Sequence, residues 1–159
     1  LRRISNVKAE KIYTYVHNAL VTGMGQIGVV VGIDGPADKI DEIGQKIAMH
    51  IAANKPEFMT IADVDPAAVE REKKVFIESG ATAGKPENIV EGMVNGRIKK
   101  WYAESVLEEQ PFVMDPSKTV KEIITEAGGT LRGFAFYVLG EGIQKKEDNL
   151  ADEVAKMLN

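Results

Sequence analysis

The sequence predicts an α+β fold: a small antiparallel sheet with helices packed on it and an antiparallel helical hairpin protruding from that core. Three observations carry this expectation. Strand-like patterning recurs in three separated segments, near residues 12–17, 27–34 and 131–139. Apolar residues at spacings of three and four mark the segments between them. Two of those helical segments meet across a short glycine-containing turn, and the first of them is too charged to be a core element.

The first strand shows period-two alternation. Ile12, Thr14 and Val16 point one way, and Tyr13, Tyr15 and His17 the other. Asn18–Gln26, with two glycines, reads as a loop. Ile27–Asp34 is nearly continuous in apolar residues and reads as a strand buried on both faces. Asp38–Asn54 is a helix whose stripe is Ile40, Ile43, Ile47 and Ile51, stopped by Pro56. Asp65 caps a second helix and Pro66 takes its first position. That helix runs to about Glu78 and carries the charged block Glu70, Arg71, Glu72, Lys73 and Lys74, which reads as a solvated face.

Ser79–Lys85 is a turn, and Pro86 opens the longest helix, to about Glu108. Its stripe is Val90, Val94, Ile98, Trp101 and Ser105, and Trp101 reads as seam packing. Residues 66–108 therefore form a hairpin excursion within a single domain spanning 1–159. Pro111 and Pro116 bracket Phe112, Val113 and Met114 in a segment that proline keeps out of a helix. Extended alternation would put Phe112 and Met114 on one side and Val113 on the other. A short helix follows over Ser117–Ala127, then a third strand over Leu131–Leu139, and finally an amphipathic helix over Lys145–Leu158.

Composition narrows the functional classes. The chain has 159 residues, 44% of them apolar and 28% charged, which is ordinary for a folded globular domain. Acidic and basic residues are interspersed at a net charge of −4, which argues against nucleic acid as a direct partner. No apolar run is long enough for a membrane span. Cysteine is absent, so disulfides and thiolate-bound metals are excluded. The chain starts at Leu1 followed by Arg2 and Arg3, without the pattern of a signal peptide, and is expected to begin inside a longer protein.

The catalytic inventory is thin. Gly23, Gly25 and Gly28 match the spacing of a dinucleotide-binding loop, but that loop works where a helix follows it, and here a strand follows. The glycines read as a hairpin loop, and no cofactor is expected. His17 and His50 are the two histidines. His50 borders the Ile47–Ile51 stripe and reads as a packing or boundary residue. His17, at a strand end, is the better contact candidate. The Phe112-Val113-Met114 triplet has two readings: a core-facing linker, or an apolar knob on a proline-stiffened strap that costs little ordering entropy on binding.

Several ordered stretches together resemble elongation factor Ts. They are Tyr15-Val16-His17 with residues 25–31; Ile47 to Ala53; Lys55-Pro56-Glu57-Phe58; Gly84-Lys85-Pro86-Glu87; Gln110 to Val120; and Gly140-Glu141-Gly142-Ile143. The resemblance implies a cytoplasmic guanine-nucleotide exchange factor of bacterial-type translation, not an enzyme, whose partner is elongation factor Tu. It implies that this chain is the C-terminal, docking half with a coiled-coil hairpin. The family's N-terminal half and its intruding Thr-Asp-Phe-Val loop have no counterpart in these residues. By position, His17, Val113 and Met114 match family contacts, with Phe112 beside them. Two other readings stand against it: a structural or dimerisation module that self-associates, and a nucleotide-binding enzyme resting on the three glycines.

Overall fold

The computed structural model describes residues 3–142. The helix expected over Lys145–Leu158 lies outside the described residues. Strand β1 (Lys11–Val21) pairs antiparallel with β2 (Met24–Asp34), and β2 pairs antiparallel with β5 (Thr130–Val138), giving the order β1-β2-β5. Helix α1 (Ala37–Asn54) lies on one face. The helical pair α2 (Pro66–Glu78) and α3 (Glu87–Ser105) follows. A two-stranded ribbon, β3 (Pro111–Phe112) and β4 (Asp115–Thr119), and the short helix α4 (Val120–Glu126) lead back to β5. The α+β class is thus the observed one.

The core lies between the sheet and α1. Val29, Val31 and Ile33 of β2 meet Ile40, Ile47 and Ile51 of α1, and Leu107, Phe112, Val120, Ile124 and Leu131 close the ends. Each such side chain is worth roughly 1.5–3 kcal/mol of transfer free energy. Tyr13 of β1 lies where a Cβ on Gly44 of α1 would stand, 2.3 Å from its ideal position, so helix and strand can approach this closely only with glycine there. The Tyr13 hydroxyl donates to Asp41, and burial beside that carboxylate pushes the phenol up to about 12. On the opposite face, Val7 packs near Gly32 and Gly133, and the Arg3 guanidinium lies 4.6 Å from the Tyr137 ring centre.

Three boundaries differ from expectation. The loop expected over Asn18–Gln26 is a continuation of both strands, closed by Thr22 and Gly23 alone. Gly23 takes φ 78° in that turn, whereas Gly25 and Gly28 are paired positions opposite Ala19 and Val16. Helix α3 stops at Ser105, not near Glu108. Val106 bridges to Phe58 as extended chain, so that Val106 and Leu107 are both buried. Helix α4 starts at Val120, not Ser117, because Thr119 and Glu122 form the capping box while Ser117 donates to Asp115.

The hairpin stands on α3. Helix α2 has no buried residue and makes its main contact with α3, where Arg97 Nη2 reaches Glu72 Oε1 at 2.6 Å. In α3, Val94, Ile98 and Ser105 are buried. Trp101 packs against Phe58, 6.4 Å between ring centres, so it ties the hairpin base to the segment after α1.

Candidate partner-docking site

The site is built from the two prolines inward. Pro111 pairs with Thr119 and Phe112 with Asp115, which leaves Val113 and Met114 as the two-residue tip of a tight hairpin. The reversal cancels the alternation expected of an extended strap. Phe112 is 3% exposed, while Val113 is 44% and Met114 52% exposed, so both tip residues face solvent together. Phe112, named above beside the contact candidates, keeps its ring in the core of this chain. It is a core wedge beneath the tip, with its ring centre 5.8 Å from that of His50. Within the triplet, Phe112 is therefore the core-facing part and Val113 and Met114 are the exposed part.

His50 is the residue whose importance the sequence concealed. It is fully buried near the C-terminal end of α1. The Asn54 amide nitrogen lies 3.1 Å from His50 Nδ1 and 3.3 Å from Nε2 and does not tell the two apart, whereas the Val113 backbone N–H donates to Nδ1 at 3.2 Å. Nδ1 must therefore be the acceptor, which places the ring proton on Nε2. Nε2 then donates to Gln110 Oε1 at 2.8 Å, and Gln110 Nε2 donates to the Glu104 carbonyl at 2.8 Å. Burial lowers the imidazole's pKa below its usual 6.5, opposed by the bond to Gln110. The apolar periodicity of α1 gave no sign of this role, because a histidine at the edge of a stripe looks the same whether or not a backbone amide 63 residues away reaches it.

Below the tip, Asp115 accepts from the Ser117 backbone and hydroxyl, and these bonds hold its carboxyl below the usual range. The turn is thus held by an imidazole under Val113, and the Asp115 carboxylate fixes the start of the strand that follows Met114.

His17 lies elsewhere on the surface. It is exposed on β1 opposite Ile27, and its Nδ1 is 3.0 Å from the Tyr15 hydroxyl. Lys55–Glu57, just past α1, border a cleft with Val138, and Val138 pairs with Ile27. His17 and the C-terminal end of α1 therefore share one end of the sheet. The same end carries exposed apolar residues that the sequence reading did not single out: Leu20 at 81%, Met24 at 65% and Leu139 at 75% exposure. Reading 18–26 as a glycine loop hid Leu20 and Met24, which project from strand ends.

Among the described residues no cluster of three or more His, Cys, Asp or Glu could hold a metal ion, and no helix is long and apolar enough to cross a membrane.

Residues 1–141 match the family model described as Elongation factor TS. The chain is 50% identical to the elongation factor Ts of Hyphomonas neptunium over 158 residues, covering 99% of this chain and 52% of that protein. It is 50% identical to the elongation factor Ts of Paracoccus denitrificans, covering 98% and 53%, and 46% identical to that of Caulobacter vibrioides, covering 92% and 49%. The chain spans about half the length of the curated relatives it matches. With a small antiparallel sheet, packed helices and a family match over nearly all of its length, the chain belongs to the elongation factor Ts family.

Proposed function

We propose that this chain is the C-terminal, docking half of a guanine-nucleotide exchange factor and that it grips elongation factor Tu through the Val113–Met114 tip, with His17 as a second contact at the same end of the sheet. The observation that carries the reading is an apolar pair exposed on a buried framework: two solvent-facing side chains on a turn whose backbone is already fixed. Such a knob loses little freedom when it enters a partner's pocket. The exchange reaction needs no bond-making residue. A factor that binds the nucleotide-free partner more tightly than the nucleotide-bound one weakens nucleotide affinity by the same factor. Docking supplies anchoring energy, and the family's intruding loop would supply the discrimination between states. The α2–α3 pair serves as the coiled-coil excursion.

The test is to titrate the 159-residue chain with elongation factor Tu and to follow GDP release in the same samples. Expected is a stable complex with GDP release much slower than a full-length factor produces. Release as fast as that of the full-length factor would defeat the division of labour. Absence of a complex, together with a concentration-dependent dimer in gel filtration, would favour the structural, self-associating module instead.

A further inference from the structure

We propose that His50 is a positioning residue for partner docking: its neutral imidazole, protonated on Nε2, holds the Val113 amide and so presets the Val113–Met114 tip in its binding conformation. The inference rests on the docking reading above, and it assigns to a buried side chain a part of the affinity that the exposed pair expresses.

The geometry supplies the argument. A two-residue tip leaves its amides facing away from the short ladder, and the pairing of β3 with β4 shifts register between Pro111 and Phe112, so the ladder alone fixes the tip poorly. The Val113 N–H is instead tied at 3.2 Å to a group on α1, a different and fully packed element. That acceptor is itself immobile. Its ring is fully buried, lies against Phe112, and is held at its far nitrogen by Gln110, which is 2% exposed and anchored on the Glu104 carbonyl at 2.8 Å. Gln110 also ties this network to α4, because its own carbonyl accepts from Val120 N at 3.0 Å. The chain of bonds runs from the end of α3 through Gln110 and His50 to the tip. Every polar atom in it has a partner, which makes the arrangement specific.

Ser105, Gln110 and His50 are the buried polar side chains among the described residues, and two of the three belong to this network. A core that needed only volume at position 50 would be served by another isoleucine. The polar choice is explained by what it holds.

Two substitutions separate positioning from packing. In His50→Asn the side-chain oxygen falls near the place of Nδ1 and can still accept from Val113. In His50→Gln the amide falls near the place of Nε2, so the bond to Gln110 is kept and the one to Val113 is lost. Both lower the melting temperature. Expected is that His50→Gln binds elongation factor Tu roughly fivefold more weakly, as a tip that must be ordered on binding would, and that its Val113 amide exchanges faster. His50→Asn should retain more of both properties despite leaving the larger void. Equal losses in the two variants, or an unchanged Val113 amide in His50→Gln, would reduce His50 to a packing residue. Wild-type affinity in His50→Gln while Val113→Ala and Met114→Ala bind weakly would overturn the inference and leave the docking reading standing. Wild-type affinity in Val113→Ala and Met114→Ala would remove the docking reading and this inference with it.

Discussion

Two hairpin turns expose apolar side chains, and they are built in opposite ways. The tip of the β3–β4 ribbon presents Val113 and Met114, about half exposed, over a buried phenylalanine and a buried histidine. The tip of the β1–β2 hairpin presents Leu20 and Met24, which are more exposed, and closes through Thr22 and Gly23 beyond a register shift between Ala19 and Val21. The second has more apolar surface and less beneath it. Exposure measures what a turn could bury, whereas the framework under it decides how much of that burial survives as affinity. By that standard the smaller patch would make the better anchor in the docking proposed above.

The largest effect that sharpens this contrast is on stability. Phe112→Ala removes the wedge under the β3–β4 tip. Fully buried aromatic residues lose about 3–5 kcal/mol on truncation to alanine. Chemical denaturation should show a loss of that size. A change under about 1 kcal/mol would mean that the tip does not depend on the core beneath it.

Next comes binding. Val113→Ala and Met114→Ala remove exposed side chains, so the fold should hold. Burial of one such group on a partner is worth roughly 1.5–3 kcal/mol. The more deeply inserted of the two should therefore weaken the complex about ten- to a hundredfold, mainly through faster dissociation. Surface plasmon resonance reads the rates, and a melting curve for each variant shows whether the loss belongs to the interface.

The contrast between the turns also marks how far the sequence could be read. Strand and helix periods placed β1, β2, α1, α3 and β5, because a sheet face or helix stripe repeats every few residues and leaves a local trace. The charge block in α2 and its few apolar residues marked that helix as an exposed one, and no residue of α2 is buried. What could not be read were events of long range or tight turning. Glycines at 23 and 25 look alike in sequence, yet one turns the chain and the other pairs with Ala19. The strap around Val113 looked extended because both prolines permit it, and only the pairing of Phe112 with Asp115 turns it back. His50 and Val113 are 63 positions apart, so no local pattern links them.

A smaller effect follows from the protonation of His50. Its pKa in the folded chain is lowered from 6.5, so the unfolded chain binds more protons as the pH drops below that value. The stability contributed by the neutral ring is complete above about pH 6.5 and declines as the pH falls toward the folded-state pKa. Urea midpoints measured between pH 7.5 and about pH 5 should fall with acidity, and His50→Asn should flatten that slope. The Asp34, Asp41 and Asp115 carboxyls, whose pKa values are also lowered, contribute below this window, from about 3.8 downward. A slope unchanged in His50→Asn would place the titration elsewhere.

The smallest effect is expected at the other turn, and it is the one that most directly tests the comparison. Leu20 is 81% exposed, so Leu20→Ser removes little buried contact, and such surface changes normally stay within about 0.5 kcal/mol. Its neighbour Asn18 takes φ 51° and its side-chain amide donates to Gln26 Oε1 at 3.1 Å, so the strands below the tip are held without Leu20. If affinity follows the framework, Leu20→Ser should change elongation factor Tu binding by less than about twofold, even though it deletes more exposed apolar surface than either alanine variant at the β3–β4 tip. If it instead weakens the complex as much as Met114→Ala does, then exposed apolar area governs docking, the β1–β2 tip is part of the interface, and the braced turn has no advantage over the unbraced one.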